Sequence, residues 1–490
     1  MIIFSKRRDI CSILFIFSEQ KVTILCNSNE KIYKPRFCYI IMLSETEIKE
    51  ILVRQKETIL NKKYGIERAV LKEIEFKIKL PHIIVLTGLR RSGKSTLLRQ
   101  LIKKYYKDED FYYINFEDER LFNFPANEFN RLYEALINLY GKKKTFFLDE
   151  IQNVTNFETF VRRLYEEGFK FFITGSSATL LSRELGTKLT GRHVDIIVRP
   201  FSFSEFLELE EVKTSRFILG KSNLDGAQKP RVIKKVLDIN KESIHKTETK
   251  AEIKKCFEEY LIKGGMPEYL IYNDPELLTR VYEDTIIKDI AVRYKVDNVV
   301  ILRQLYSYLV NNFANKFSYN SIRKVTSIKS VNTIKKFISY LEDTYFAKTI
   351  NKFDYSYKKQ IINDKKFYVL DNGFIGVLSK KLTNDSGWLL ENLVFNCLNN
   401  FHEVFYYSDK KECDFLIVRN KEVKQAIQVC YELNEENRKR EIEGLTEAMK
   451  KFKLEEGLLL TNNREEKLKL NGEKIVIKPV WKWLLEEKQQ

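Results

Sequence analysis

Four stretches in the first half of the chain are apolar almost without a break: His82-Ile83-Ile84-Val85-Leu86, Phe111 to Phe116, Thr145-Phe146-Phe147-Leu148 and Phe171-Phe172-Ile173-Thr174. Short runs of this kind predict strands buried on both faces, as parallel strands are. Between them, apolar positions recur at helical spacing from Thr96 to Tyr106, Phe129 to Tyr140 and Phe157 to Glu167. Strands alternating with helices predict an α/β fold, a parallel sheet with helices on both faces. Ahead of the first strand, Ser44 and Glu47 carry a capping-box signature for an amphipathic helix reaching about Lys62.

Further along, the pattern changes. From about Glu210 to Lys250 the chain is rich in lysine and weakly periodic, which suits an inserted lid or linker. Helical spacing resumes near Cys256, breaks at Gly264-Gly265-Met266-Pro267 and continues to about Tyr294. Three short helices between Ile301 and Tyr345, then strand-like runs to Leu370, follow the plan of a winged helix. A last block has a helix from Trp388 to Asn399 and strands at 403–407, 414–418 and 426–430. A charged helix over 435–452 and two more strands, 457–460 and 475–479, complete what reads as a separate α/β unit. The expected division is a core over 42–209, a helical lid over 210–295, a winged-helix-like segment over 296–370 and a C-terminal unit over 371–490. Residues 1–41 show no sustained periodicity and are expected to be a gene-model extension, with translation starting at Met42; the intact mass of the native protein tests this.

Gly88-Leu89-Arg90-Arg91-Ser92-Gly93-Lys94-Ser95, followed by Thr96, matches G-x-x-x-x-G-K-[ST] between a predicted buried strand and a predicted helix. In that context glycines let backbone amides turn inward around a polyphosphate, and the helix presents its positive end to the same anion. Lys94 would reach the β- and γ-phosphates of ATP and the Ser95 hydroxyl would hold Mg²⁺. Asp149 and Glu150 end the third strand, where Asp149 can serve the metal and Glu150 can polarise the attacking water.

With Ile173-Thr174-Gly175-Ser176-Ser177 on the next strand, these motifs resemble an AAA+-type P-loop ATPase. Leu189-Thr190-Gly191-Arg192, Pro200-Phe201-Ser202-Phe203-Ser204-Glu205-Phe206 and Gly264-Gly265-Met266-Pro267-Glu268 narrow the resemblance to a prokaryotic group that joins this core to a C-terminal domain of unknown function. The likeness runs from Met42 to about Val480. It implies that Ser176 or Ser177 senses the γ-phosphate. Arg192 is the chosen arginine to complete the site, in cis or from a neighbouring subunit, with Arg183 as its competitor. The C-terminal unit resembles the restriction-endonuclease-like fold, with Glu391 and Asp414 in the first two metal-binding places. At the third place stand Gln428 and Cys430, where a carboxylate and a lysine belong, so a degenerate, binding-only domain is expected.

Charge adds one partner. Lysine and arginine number 85 against 68 acidic residues, a formal net charge of +17 that attracts polyanions. Lys324, Lys329, Lys335 and Lys336 lie near the candidate recognition helix and suit contact with DNA phosphates, the alternative being a protein-protein spacer. Seven scattered cysteines without CxxC spacing indicate neither a zinc site nor a disulfide framework. No apolar run approaches the roughly 20 residues that span a bilayer, so no membrane partner and a cytoplasmic location are expected. A homo-oligomer is left open. The leading expectation is an ATPase that remodels or moves along a macromolecule, DNA first. The alternatives are a nucleotide-regulated signalling or defence switch and an ATP-dependent nuclease.

Overall fold

The computed structural model describes residues 12–18, 21–27, 43–106, 110–121, 124–176, 191–220, 247–380, 386–470 and 472–486. Strands β1 (Ser12–Ser18) and β2 (Lys21–Asn27) pair antiparallel, a regular element in the segment where the sequence showed no periodicity.

Helix α1 (Glu45–Asn61) begins at the expected capping box. The Ser44 hydroxyl accepts from the Glu47 amide, while the Glu47 carboxylate accepts from the Ser44 amide. After α2 (Leu71–Ile78) come β3 (Ile83–Thr87), α3 (Lys94–Tyr105), β4 (Tyr112–Asn115), α4 (Phe129–Tyr140), β5 (Thr145–Asp149), α5 (Phe157–Glu166), β6 (Lys170–Gly175) and β7 (His193–Ile197). The five strands are parallel in the order β4-β5-β6-β3-β7. This is a P-loop NTPase core.

Every residue of β3 and β5 is buried, because the sheet is covered on both faces. One face packs Val85, Ile114, Leu148 and Ile173 beneath α4 and α5; the other packs Leu86, Tyr113, Phe147 and Phe172 against α3. Phe147 stacks on Phe172 and Phe146 on Phe171, so the aromatic runs form cross-strand pairs. β7 is the strand the sequence pattern did not reveal. At the sheet edge it buries only Ile196 fully, and His193 and Asp195 break the apolar run that marked the others.

A helical region follows: α6 (Phe203–Gly220), α7 (Thr247–Lys263), α8 (Pro267–Tyr272), α9 (Glu276–Asp284) and a π-helix over Thr285–Val292. The lysine-rich stretch over 221–246 lies outside the described residues. Next come α10 (Val299–Asn311), β8 (Lys316–Phe317), α11 (Tyr319–Val325), α12 (Val331–Asp343), β9 (Ala347–Asn351), α13 (Tyr357–Ile362) and β10 (Lys365–Val369), with the sheet order β8-β10-β9, all antiparallel. Three helices and two closing strands appear as expected; the two-residue strand β8 is an addition.

The C-terminal unit consists of α14 (Asn372–Leu378), α15 (Ser386–Leu398), β11 (Glu403–Ser408), β12 (Glu412–Arg419), β13 (Glu422–Cys430), α16 (Glu435–Phe452), β14 (Glu456–Thr461), β15 (Glu466–Leu470), β16 (Glu473–Pro479) and α17 (Val480–Glu486). Its mixed sheet runs β11-β12-β13-β14-β16-β15. The unit is not detached, as the sequence suggested. Alternate residues on its strands face opposite ways: Leu416, Leu459 and Ile477 pack under α16. Phe415, Ile417, Ile427 and Leu460 instead join an apolar core that continues through α10 and α7 to Phe201 and Leu89.

The Gly264-Gly265 break sits where these parts meet. A Cβ on Gly264 would lie 1.9 Å from Asp371 Oδ1, and one on Gly265 would lie 2.1 Å from the Phe201 carbonyl oxygen. Asp371 accepts from the Gly265 amide at 2.6 Å and the Gly373 amide at 3.0 Å, while burial raises its carboxyl to about 6.

Candidate nucleotide-binding site

The loop between β3 and α3 turns at the C-terminal end of the sheet. Gly88 has φ +143° and a Cβ there would come within 2.2 Å of the Val198 carbonyl oxygen; Gly93, at φ +99°, precedes the first residue of α3. Arg91 takes a left-handed conformation between them. Lys94 is buried and donates to the Gly88 and Leu89 carbonyls at 3.2 and 3.3 Å, and its ammonium lies 3.5 Å from Glu150 Oε1.

The acidic pair stands opposite. Asp149 accepts hydrogen bonds from Thr174 and Tyr113, and the Ser95 hydroxyl acts on the same carboxylate, so the two expected Mg²⁺ ligands, Ser95 and Asp149, are neighbours. Burial and the neighbouring Glu150 charge raise the Asp149 carboxyl, against those hydrogen bonds. Burial also works on Glu150, but the Lys94 ammonium, the Gln152 amide and the Arg90 guanidinium outweigh it and hold that carboxyl below its usual range. Its amide donates to Thr174 Oγ1 at 2.8 Å, which fixes the left-handed backbone at φ 51°. Two buried polar atoms beside this loop, Ser92 Oγ and Arg293 Nη1, have no partner among the described residues. A tight glycine cradle, buried lysine, unused donors and a hydroxyl-carboxylate pair fit a magnesium-bound polyphosphate.

Sequence reasoning missed several residues that hold the loop. Arg68 donates to the Ser92 carbonyl at 2.9 Å and the Arg199 carbonyl at 2.7 Å, and pairs with buried Glu205 at 3.0 Å. Glu205 also accepts from the Ala69 and Ser202 amides, which accounts for the acid in the Pro200 to Phe206 motif. Arg68→Ala leaves this carboxylate buried and unpaired. We expect a loss of about 3–5 kcal/mol, read as a lower unfolding midpoint in urea; an unchanged midpoint shows that the pair is not a brace.

Two loop residues are tied to the helical region. Arg90 makes a two-point pair with Asp289 at 2.8 and 2.9 Å, and Arg91 pairs with Glu268 at 2.7 Å. Ser176 Oγ is 3.3 Å from Asp289 Oδ1. Ser177 and Arg183 lie outside the described residues.

The structure does not bring Arg192 to this pocket. It directly precedes β7, whose parallel run puts Arg192 at the far end of the sheet, roughly 15 Å away at about 3.3 Å per residue. There it pairs with Glu166 at 3.0 Å.

Lys324, Lys329, Lys335 and Lys336 are all exposed, at the end of α11, in the following turn and on α12. In the C-terminal unit, Glu391 on α15 and Asp414 on β12 do come together, and Gln428 accepts from the Asp414 amide at 3.2 Å while donating to Glu441 at 2.7 Å. The sequence pattern offered no lysine for this pocket. The structure supplies one from β10: Lys366 Nζ lies 2.9 Å from Glu391, 2.8 Å from Glu412 and 3.2 Å from Asp414. Burial alone would lower this ammonium, but Glu391, Tyr368, Asp414 and Glu412 raise it well above its usual value. Its signal in sequence was only a lysine inside a buried strand. The Cys430 thiol is pushed up to about 12 by burial.

Residues 80–207 match the family described as AAA domain, and residues 254–385 match a domain of unknown function, DUF8612. Uncharacterized protein MJ1544 of Methanocaldococcus jannaschii is 35% identical over 467 residues, 91% of this chain and 95% of its own. The chain belongs to the MJ1544 family. Another relative, an uncharacterized protein of Haemophilus influenzae, is 28% identical over 84% of this chain and 96% of its own. Solved structures with likeness to this MJ1544-family protein include the Aeropyrum pernix ORC2 protein in its ADP form (10% identity, 66% of this chain and 96% of that one, TM-score 0.29). Another is a STAND protein with a tetratricopeptide repeat sensor from Pyrococcus horikoshii (12% identity, 70% and 46%, TM-score 0.27). By the match over residues 80–207, the MJ1544-family chain carries an AAA-type P-loop core of the nucleotide-binding kind. Among the described residues, no helix is long and apolar enough to cross a membrane.

Proposed function

We propose that this protein hydrolyses ATP in the pocket between Gly88–Ser95 and Asp149–Glu150 and uses the turnover to act on DNA in the cytoplasm. The observation that carries the reading is the buried Lys94–Glu150 pair beside Asp149, set against the tight Gly88–Gly93 turn at the C-terminal end of a parallel sheet. Bound magnesium would neutralise phosphate charge between Ser95 and Asp149. Lys94 grips the phosphates, Glu150 orients water and takes its proton, and Ser176 contacts the terminal phosphate.

The DNA reading rests on the exposed lysines of α11 and α12, in a segment whose element order is that of a winged helix. Arg192 belongs to the ATPase reading only as a residue donated by a second copy, which makes a homo-oligomer part of the proposal. The C-terminal unit is then a docking domain without nuclease activity, since Gln428 stands where the third carboxylate belongs and the Lys366 ammonium is already paired with Glu391 and Asp414.

Steady-state phosphate release by the purified protein, with and without duplex and single-stranded DNA, tests this. Turnover stimulated by DNA is the expected result, lost when Lys324, Lys335 and Lys336 are together changed to Ala. Tight retention of nucleotide with negligible turnover would instead favour a switch, a reading that the ties of Arg90 and Arg91 to the helical region support. Metal-dependent DNA cleavage lost in Asp414→Ala would establish the nuclease.

A further inference from the structure

Asp289 is a buried carboxylate in contact with the Gly88–Ser95 loop and with Ser176. Its two oxygens accept from Arg90 Nη2 and Nε of the phosphate-binding loop, and Oδ1 also lies 3.3 Å from Ser176 Oγ. Arg293, four residues on, interacts electrostatically with Asp289, Arg90 and Glu150 and keeps Nη1 buried without a partner among the described residues. Planar, two-point pairing with a guanidinium is common to carboxylates and phosphates. The chain of contacts continues inward: Gln152 Nε2 is 3.5 Å from Ser176 Oγ and donates to Glu150 Oε2, and Glu150 faces Lys94.

The element that delivers Asp289 is itself unusual. The eight residues Thr285–Val292 form a π-helix, a rare winding found mostly at functional sites. This segment joins α9 to Tyr294, whose hydroxyl donates to Asp343 of α12 and whose ring stacks on Tyr340. A shift of the π-helix therefore reaches the segment that carries the basic face.

We propose that Asp289 stands in for the terminal phosphate of ATP in the nucleotide-free protein, and that ATP, unlike ADP, displaces it from Arg90 and Ser176. This rests on the ATP-binding reading above. A carboxylate left beside the γ-phosphate would repel it and compete for the same donors, so binding of the triphosphate moves the π-helix. A diphosphate lacks the group that competes.

Calorimetry with Mg-ATP and Mg-ADP on the full chain tests the idea. Asp289→Asn removes the negative charge with little change of shape. It should tighten Mg-ATP by about tenfold while leaving Mg-ADP within about threefold of wild type. Hydrogen exchange on the wild-type protein gives a readout free of any variant. Exchange across 285–292 should rise with a non-hydrolysable ATP analogue and not with ADP. Unchanged or weakened ATP affinity in Asp289→Asn, an equal gain for ADP, or exchange that responds alike to both nucleotides overturns the proposal. Wild-type protein that binds neither nucleotide removes the ATP-binding reading itself, and this inference with it.

Discussion

Glu150→Gln is expected to hold Mg-ATP at near wild-type affinity and to turn it over at least about 100-fold more slowly, the usual contribution of a positioned general base. The substitution keeps the shape of the side chain and the backbone anchor, because the Glu150 amide still donates to Thr174 Oγ1. What it removes is the charge that the Lys94 ammonium and the Arg90 guanidinium hold in place, and with it the ability to accept a proton from water. Lys94→Ala makes the contrasting variant. It deletes the buried ammonium at the phosphates and should abolish nucleotide binding altogether. Calorimetry followed by single-turnover hydrolysis separates the two. Normal hydrolysis by Glu150→Gln would mean that another group orients the water.

The second large effect is expected at the opposite end of the chain. Lys366→Met leaves Glu391, Glu412 and Asp414 around a space that has lost the cation at its centre. Removing one partner of a buried ionic group typically costs about 3–5 kcal/mol, so the thermal midpoint should drop by several degrees. Burial and the Glu391 charge already raise the Asp414 carboxyl, and without the ammonium it rises further above its unfolded value. A raised carboxyl penalises the folded state above the folded pKa and not below the unfolded one. The deficit of the variant should therefore shrink as pH falls from the alkaline side to about 8, where the wild-type Asp414 carboxyl takes up its proton. Mn²⁺ should restore part of the lost stability in Lys366→Met and none in the wild type. A wild-type protein stabilised by Mn²⁺ would show that the lysine does not occupy the cation position.

The core was legible because its chemistry is local. A buried strand, a glycine turn and a helix stand next to one another in sequence, so the residues from Gly88 to Ser95 mark the phosphate loop by themselves. Asp149 and Glu150 followed from a strand end. Residues that act across the fold were not legible in this way. Arg68 braces the loop from 24 residues before Ser92, Asp289 reaches Arg90 across 199, and Lys366 enters a pocket formed by Glu391 and Asp414. None of them has a spacing that marks it. Strands β7 and β15 were missed for a related reason. Each lies at a sheet edge with one side to solvent, and polar side chains at His193, Asp195, Lys467 and Lys469 hide the apolar pattern. Arg192 was chosen from a motif, and the direction of β7 puts it at the end of the sheet away from the Gly88–Ser95 loop of its own chain.

The glycine pair at 264 and 265 is fastened at once to Phe201 on one side and Asp371 on the other, while the neighbouring Glu268 grips Arg91. Truncating the gene after residue 370 would thus deprive the ATPase half of a hydrogen-bonded anchor and lay bare the apolar side chains that Phe374 and its neighbours cover, Phe346 among them. The shortened product should aggregate, so the tail cannot be traded between relatives as an independent cassette.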